Sequence, residues 1–297
     1  MGESPGQAER QLIDRARSVR RRLSKVDLPR IDPAATPGLP RLADDGHKEW
    51  SRDQVRRLGV LLAERQNCLY ARAKAGVDRR RVLLVLQALD CGGKDGTIRS
   101  VVGALDPLGV QQRAFGPPTE EERAQHFLWR ISRDLPPAGF IGVFNRSHYE
   151  DVLVVRVRGL APEKVWRRRY DEINAFEAAL AADGVTIIKV MLHISRAEQG
   201  VRLLARLDDP IKRWKFNPAD LDDRQRWDEY QRAYGDVLTR CSTTAAPWYV
   251  VPADRKWYRN WAVANLLLAH LADLDLSYPE VDLPVEELRA RLEANNG

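Results

Sequence analysis

Residues Val82–Thr97 read VLLVLQALDCGGKDGT, and this stretch decides the fold. The apolar run Val82–Leu86 fits a strand buried on both faces, as in the middle of a parallel sheet. Asp90 follows at the carboxyl edge of that strand, then Cys91, Gly92 and Gly93, then Lys94, with Asp95, Gly96 and Thr97 opening a helix. A strand that passes through a glycine-rich turn into a helix offers an anion backbone N–H groups and the positive end of the helix dipole. Lys94 adds a full charge suited to phosphate oxygens. The loop approximates the phosphate-binding pattern GxxxxGK(S/T) and departs from it twice, with Ala88 at the first glycine and Asp95 at the hydroxyl position. Asp90 is placed to hold Mg²⁺ or to orient an attacking phosphate oxygen. The competing reading is a structural glycine turn in which Asp90 serves only the bend.

Outward from this loop, three more apolar runs read as buried strands: Phe140–Phe144 (FIGVF), Val185–Leu192 (VTIIKVML) and Trp248–Val251 (WYVV). Helices alternate with them. Thr119 with Glu122, and Ser195 with Glu198, fit the capping box that closes a helix N-terminus reciprocally. Glu163–Ala182 is a long Arg-rich helix stopped by Asp183-Gly184. Trp50, Val55, Leu58, Leu62 and Leu69 recur at helical spacing and predict an amphipathic helix to about Ala75. Before it, Asp27–Gly46 is proline-rich and reads as an extended wrap, and the first ~25 residues form a helix or a mobile arm. Strand–helix alternation predicts an α/β fold with a mostly parallel central sheet.

The composition fits that fold. Of 297 residues, 44% are hydrophobic, enough for a substantial core, and 30% are charged. No apolar run reaches the ~18 residues of a membrane span, and MGESPGQAER carries no apolar signal segment. Three scattered cysteines form no CxxC pair, which argues against a zinc site and for a reducing, cytoplasmic setting. A net charge of +6 favours anionic partners.

Two further elements carry chemistry. Phe144–Asp151 (FNRSHYED) follows the FIGVF strand, and its polar residues are expected at the same crevice as Lys94, outside the carboxyl ends of the strands. Arg146 offers a planar fork matched to phosphate. His148 reads as a hydrogen-bonded structural residue rather than a catalyst. The third element is basic and runs from Arg196 to Arg226. Arg202 and Arg206 share a helix face, Lys212, Arg213 and Lys215 surround Trp214, and Arg224 and Arg226 lie on a helix restarted at Asn217-Pro218. A helical lid of this kind brings cations over a phosphate site and excludes water. A solvated, charged helix pair is the alternative.

Together these elements resemble the polyphosphate kinase type 2 family, from about Leu28 to about Leu271. The blocks that carry the resemblance are LDCGGKDGT, GPPTEEERAQHFLWR, FNRSHYEDVLVVRV, LHISRAEQ, RLDDPIKRWKFNPADLDDRQRWDEYQRAY and APWYVVPADRKWYRN. The resemblance implies a P-loop kinase-like three-layer αβα sandwich with a helical lid, and Mg²⁺-dependent (or Mn²⁺-dependent), reversible transfer of phosphoryl groups between inorganic polyphosphate and nucleoside mono- or diphosphates. On this chain it implies catalytic roles for Asp90, Lys94 and Arg146. It implies phosphate contacts from Gly92, Gly93, Lys94, Asp95, Gly96, Thr97, Arg146, Arg202, Arg206, Lys212 and Lys215. Nucleotide contacts fall on Thr119, Asn145, Arg146 and Glu150, and metal contacts on Asp90 and Asn145. The GKD and FNRSHYED forms resemble the subgroup that accepts both AMP and ADP. Gly116 stands where relatives often carry Lys, and Asn145 lacks the charge of a Walker B carboxylate, so metal binding leans on Asp90, with Asp95 or Glu150 as further candidates.

The implied organisation is an arm and linker over 1–46, a helix packed on the core over 47–80, a phosphotransferase domain over 81–275 with its lid at about 208–242, and a tail over 276–297. A homo-oligomer, dimer or tetramer, is expected, with neither membrane nor nucleic-acid partners. Two rivals stand beside this reading. An ATP-dependent nucleoside monophosphate kinase would share core and lid, and a basic nucleic-acid-binding protein would explain the charge, although no reading motif accompanies it.

Overall fold

The computed structural model describes residues 5–41 and 46–295, so positions 42–45 of the expected linker lie outside the described residues. Five strands form one sheet: β1 (Arg81–Gln87), β2 (Val110–Ala114), β3 (Ile141–Asn145), β4 (Val185–His193) and β5 (Trp248–Pro252). Every neighbouring pair is parallel, in the order β2-β3-β1-β4-β5. Because β1 is central, the chain builds first to one side of it and then to the other. The connections therefore part at the carboxyl end of β1, between β3 and β4, where such sheets open a crevice.

Side-chain alternation along β1 divides the core. Val82, Leu84 and Leu86 point into one apolar cluster, and Leu83 and Val85 into another. Four helices cover the first face: α1 (Pro5–Leu23), α2 (His47–Lys74), α3 (Lys94–Val101) and, between them, α11 (Lys256–Asp273). The chain between α3 and α11 supplies the short α4 (Glu120–Ala124), α5 (Trp129–Arg133) and α6 (Val154–Val157), and the longer α7 (Glu163–Ala182) and α8 (Arg196–Asp208). It then forms α9 (Ala219–Gln225) and α10 (Trp227–Arg240), while α12 (Val285–Ala294) ends the described chain. The opposite face of the sheet is covered chiefly by α6, α7 and α10. The expected three layers are present.

The four apolar runs are β1, β3, β4 and β5. The fifth strand, β2, has the sequence VQQRA and lies at the sheet edge with three of its residues exposed. The arm is helical over α1, burying Ala16, Val19 and Leu23 against α11, with Arg17 and Arg20 paired to Asp273 at the far end of that helix. The wrap after it crosses the β5–α11 turn: Asp254 N donates to Pro33 O (3.1 Å), Arg255 Nε to Ala34 O (3.0 Å) and Tyr258 Oη to Pro37 O (2.8 Å).

The capping boxes differ in outcome. At Thr119 both halves form. At Ser195 only one does: Oγ accepts from Glu198 N (3.0 Å), but Ser195 N donates to Asp254 Oδ1 (2.8 Å) and Glu198 turns to Arg202. A tertiary partner displaced the local one.

Candidate active site

The loop after β1 bends sharply enough to require unusual backbone. Cys91 has φ 61° and Gly93 φ 105°, and at the matching end of β3 Arg146 has φ 64°. Non-glycine residues avoid this region, and where they occupy it the surroundings must hold them there. Here they are held: Arg146 N donates to Leu86 O (3.1 Å), Gln199 Nε2 on α8 donates to Asp90 O (3.1 Å), and Arg202 Nη1 donates to Cys91 O (2.9 Å). The crevice above the loop encloses about 540 Å³ and is lined by nine basic side chains and three carboxylates.

Lys94 begins α3 and is buried, with Nζ donating to Ala88 O (2.9 Å). Among the described residues that carbonyl is its only hydrogen-bond partner, so two ammonium protons remain for a ligand. Burial, and then the neighbouring Arg146, pull this ammonium below its ordinary value, with Asp90 opposing. Arg146 Nη2 donates to Asp90 Oδ1 (2.9 Å), and Nη1 lies 3.9 Å from Glu150 Oε2. Glu150, chiefly, and Asp90 hold the guanidinium above its ordinary value against burial. Burial pushes the Glu150 carboxyl up, opposed by Arg146 and Lys94, and Gln87, with its amide oxygen toward Ser147, donates to Glu150 Oε1 (3.0 Å). Asp90, Lys94, Arg146 and Glu150 thus form one coupled group.

Asp95 replaces the expected hydroxyl and joins two walls. Asn145 Nδ2 donates to Asp95 Oδ1 (2.9 Å), and Lys215 Nζ stands 3.9 Å from Asp95 Oδ2. Arg206 Nη1 donates to Lys215 O (3.2 Å) and lies 3.6 Å from Asp220 Oδ2. Asp220 was not singled out from the sequence. Burial and then Asp90 push its carboxyl up to about 6. Lys212 lines the same crevice and pairs with Asp209.

Arg202 also lines the crevice, with four of its five N–H donors engaged: Nε with Glu198 (2.7 Å), one on Nη1 with Cys91 O, and Nη2 with Ala253 O (2.7 Å) and Asp254 O (2.9 Å). Its geometry holds the loop and leaves one Nη1 N–H uncommitted among the described residues. Thr119 lies outside the crevice, its hydroxyl accepting from Glu122 N. Thr97 is buried below the loop, its Oγ1 without a partner among the described residues. Of the stretch expected as a lid, α10 is anchored, with Tyr230, Ala233, Tyr234, Val237 and Leu238 all in the core. The loop and α9 before it are more exposed, including Ile211 and Trp214.

A sequence-family model described as Polyphosphate kinase 2 matches residues 47–278. The chain belongs to the polyphosphate kinase 2 family. It is 46% identical over 264 residues to the AMP/ADP-polyphosphate phosphotransferase of Meiothermus ruber, covering 89% of this chain and 95% of that one. It is 44% identical over 246 residues to the ADP-polyphosphate phosphotransferase of Rhodopseudomonas palustris, covering 79% and 82%. The crystal structure of polyphosphate kinase 2 from Arthrobacter aurescens superposes with a TM-score of 0.86 at 47% identity, covering 90% of this chain and 93% of that one. The chain is therefore a phosphotransferase of the polyphosphate kinase 2 fold.

For a polyphosphate kinase 2 the oxygen donors of the crevice matter. Asp90 Oδ1 accepts from Arg146, which among the described residues leaves Oδ2 without a protein hydrogen bond. Asn145 donates its amide nitrogen to Asp95, and its Oδ1 has no hydrogen-bond partner among the described residues. These hard oxygens could hold Mg²⁺, an ion that takes few protein ligands and fills its shell with water and phosphate oxygens. The family resemblance did not bring out Arg259 and Lys256, which also line the crevice from the first turn of α11. The signal in the sequence was faint: Arg259 shares the buried side of α11 with Tyr258, Ala262 and Val263, but the helix also carries Lys256, Asn260, Asn265, His270 and Asp273.

Proposed function

We propose that this polyphosphate kinase 2 moves phosphoryl groups between inorganic polyphosphate and AMP or ADP, with Mg²⁺ as its cofactor. The observation that carries the reading is the cationic crevice over the β1–α3 loop, whose buried Lys94 retains two unspent N–H donors. The relatives' names supply the substrate pair. Three buried, unpaired cysteines suit a reducing cytoplasm, and among the described residues no helix is long and apolar enough to cross a membrane.

Phosphoryl transfer leaves the protein little covalent work, so positioning and cations supply the catalysis. Bound beside Asp90 and Asn145, Mg²⁺ would neutralise phosphate charge. Lys94 and the N–H groups at the start of α3 hold the oxygens of the transferring group. Arg146, locked between Asp90 and Glu150, presents its fork at a set angle to the acceptor phosphate. Arg202 and Gln199 keep the loop in its strained shape, so it need not reorganise when substrate arrives. The segment from Asp209 through α9 closes over the crevice and excludes water, bringing Lys212 and Lys215 with it.

The test is donor choice. Purified protein with Mg²⁺, long-chain polyphosphate and AMP or ADP, without ATP, yields ADP or ATP. If product forms only when ATP is the donor, the protein is instead a nucleoside monophosphate kinase.

A further inference from the structure

We propose that Arg224 on α9 and Gln199 on α8 are positioning residues that join the closing segment to the phosphate loop, Arg224 by fixing the Gln199 amide and Gln199 by fixing the backbone of Asp90; this rests on the phosphotransfer reading above. Gln199 is 2% exposed and engages both ends of its amide. Nε2 donates to Asp90 O (3.1 Å), and Oε1 accepts from Arg224 Nη1 (2.9 Å). An arginine can only donate and a carbonyl can only accept, so a single orientation of the amide serves both partners. Arg224 Nη1 also donates to Arg196 O (2.6 Å), in the first turn of α8. A chain of hydrogen bonds therefore runs from α9 through α8 to Asp90, whose carboxylate meets Arg146.

Two features of the sequence fall into place around this chain. Arg224 sits among acids, with Asp220, Asp222 and Asp223 on the same short helix, yet among the described residues it forms no ion pair. Asp223 is held by Arg158 (2.6 Å) and Asp220 faces Arg206 (3.6 Å), so the Arg224 guanidinium is given to the neutral oxygens of α8. Gly200 lies inside α8, where glycine is the least favourable residue after proline. A Cβ there would stand 3.1 Å from Arg224 Nη2 and 3.5 Å from Cζ. The bare backbone lets the guanidinium lie against the helix and reach both of its acceptors. The other side of α9 is fastened separately, by Asp223 to Arg158 and by Arg226 Nη1 to Val157 O (2.7 Å). Only the Arg224 contact continues to the loop. There the residue after Asp90, Cys91, is held at φ 61°, a conformation that persists only when its surroundings enforce it. Seating α9 against α8 thus sets Asp90 and the Arg146 fork for transfer, and lifting it releases Gln199 and loosens both.

A double-mutant cycle in the full chain tests this, with Gln199→Met, Arg224→Met and the two together. The readouts are kcat and KM with polyphosphate and ADP, and amide hydrogen exchange across residues 88–97 without ligand. Each single change should lower kcat about tenfold, the scale of one buried hydrogen bond, and move KM for ADP less than about twofold. The pair should also fall about tenfold rather than a hundredfold, since the two residues act through one chain. Exchange in the loop should quicken as much for Arg224→Met as for Gln199→Met, although among the described residues Arg224 has no hydrogen bond to the loop. Gln199→Glu keeps an acceptor for Arg224, which holds it ionised at pH 8, but offers Asp90 O no donor. It should match Gln199→Met in turnover and exchange, and it serves alone if the Met variants do not fold. Additive losses overturn the proposal, as do wild-type turnover in Gln199→Glu or loop exchange unmoved by Arg224→Met. Wild-type protein that cannot phosphorylate ADP from polyphosphate refutes the functional reading instead, and the exchange arm, which needs no substrate, still decides whether the chain of bonds holds the loop.

Discussion

Two lysines are buried at this sheet, and they live in opposite circumstances. Lys189, on β4, is fully buried on the face covered by α7 and α10, and its Nζ donates to Glu177 Oε2 (2.5 Å), Tyr149 Oη (2.7 Å) and Cys241 O (2.6 Å). Three acceptors require three protons, so it is an ammonium with every donor spent. Burial works to raise the Glu177 carboxyl, but His148, Lys189 and their hydrogen bonds outweigh it and hold it below its ordinary value. Lys94, above the carboxyl end of β1, has one carbonyl and, among the described residues, no carboxylate in ion-pair contact, although Asp90, Glu150 and Asp95 act on it from further away. Both are buried, and unequal pairing separates the lysine that serves the fold from the one kept open for an anion.

The largest expected effect tests the sealed side. Lys189→Met leaves Glu177 buried without its counter-charge and should cost about 3–5 kcal/mol in urea unfolding. Adding Glu177→Gln should recover part of the loss, and a fully stable single variant would show that the network is not a structural lock. On the open side, Lys94→Ala should lower kcat about 10²-fold or more, by analogy with removal of one electrostatic contact at a transition state. Its melting temperature should hold, because no ion pair is broken. Near-normal turnover, or a large loss of stability, would erase the contrast between the two lysines.

His270 extends the rule to a group that can shed its charge. Nδ1 donates to Leu266 O (2.7 Å) and Nε2 accepts from Tyr249 Oη (3.1 Å), which fixes a neutral ring, and burial brings its pKa down to about 4. The unfolded chain takes up a proton near pH 6.5 while the folded one does not until about pH 4. Stability from this group is therefore complete above about pH 6.5 and falls as the pH drops toward 4. The loss should be about 2 kcal/mol after allowance for its partial exposure. His270→Gln should flatten the wild-type decline; parallel curves for the two proteins would refute the assignment. The smallest effect belongs to Thr119→Ala, about 1 kcal/mol or less from a lost cap, with KM for nucleotide unchanged. A raised KM there would return Thr119 to the site.

Much of this was legible because apolar runs and a glycine turn are local signals. The strands with buried faces, the ends of α2 and α7 and the loop carrying Lys94 all follow from neighbours in sequence. The strand β2 was not legible, because VQQRA at an edge needs no apolar pattern and takes its conformation from the ladder with β3. The role of Arg202 was hidden for another reason. From the sequence it is one cation in a basic helix, and only the tertiary carbonyls of Cys91, Ala253 and Asp254 show that most of its donors hold the loop and the β5–α11 turn. Arg259 presented the reverse case, since a charge on a buried helix face acquires meaning only when the partners around it are known. His148 fits its reading as structural, with Nε2 3.1 Å from Glu177.

The wrap that fastens Pro33, Ala34 and Pro37 to Asp254, Arg255 and Tyr258 has a practical corollary. It ties down the very bend from which Lys256 and Arg259 project, and it lies upstream of residue 47, where the family match begins. Shortening the chain to the matched region would remove the strap together with α1, whose Ala16, Val19 and Leu23 pack against α11. A truncated chain would thus leave the outer side of α11 bare, so the segment upstream of the family match is part of the folding unit.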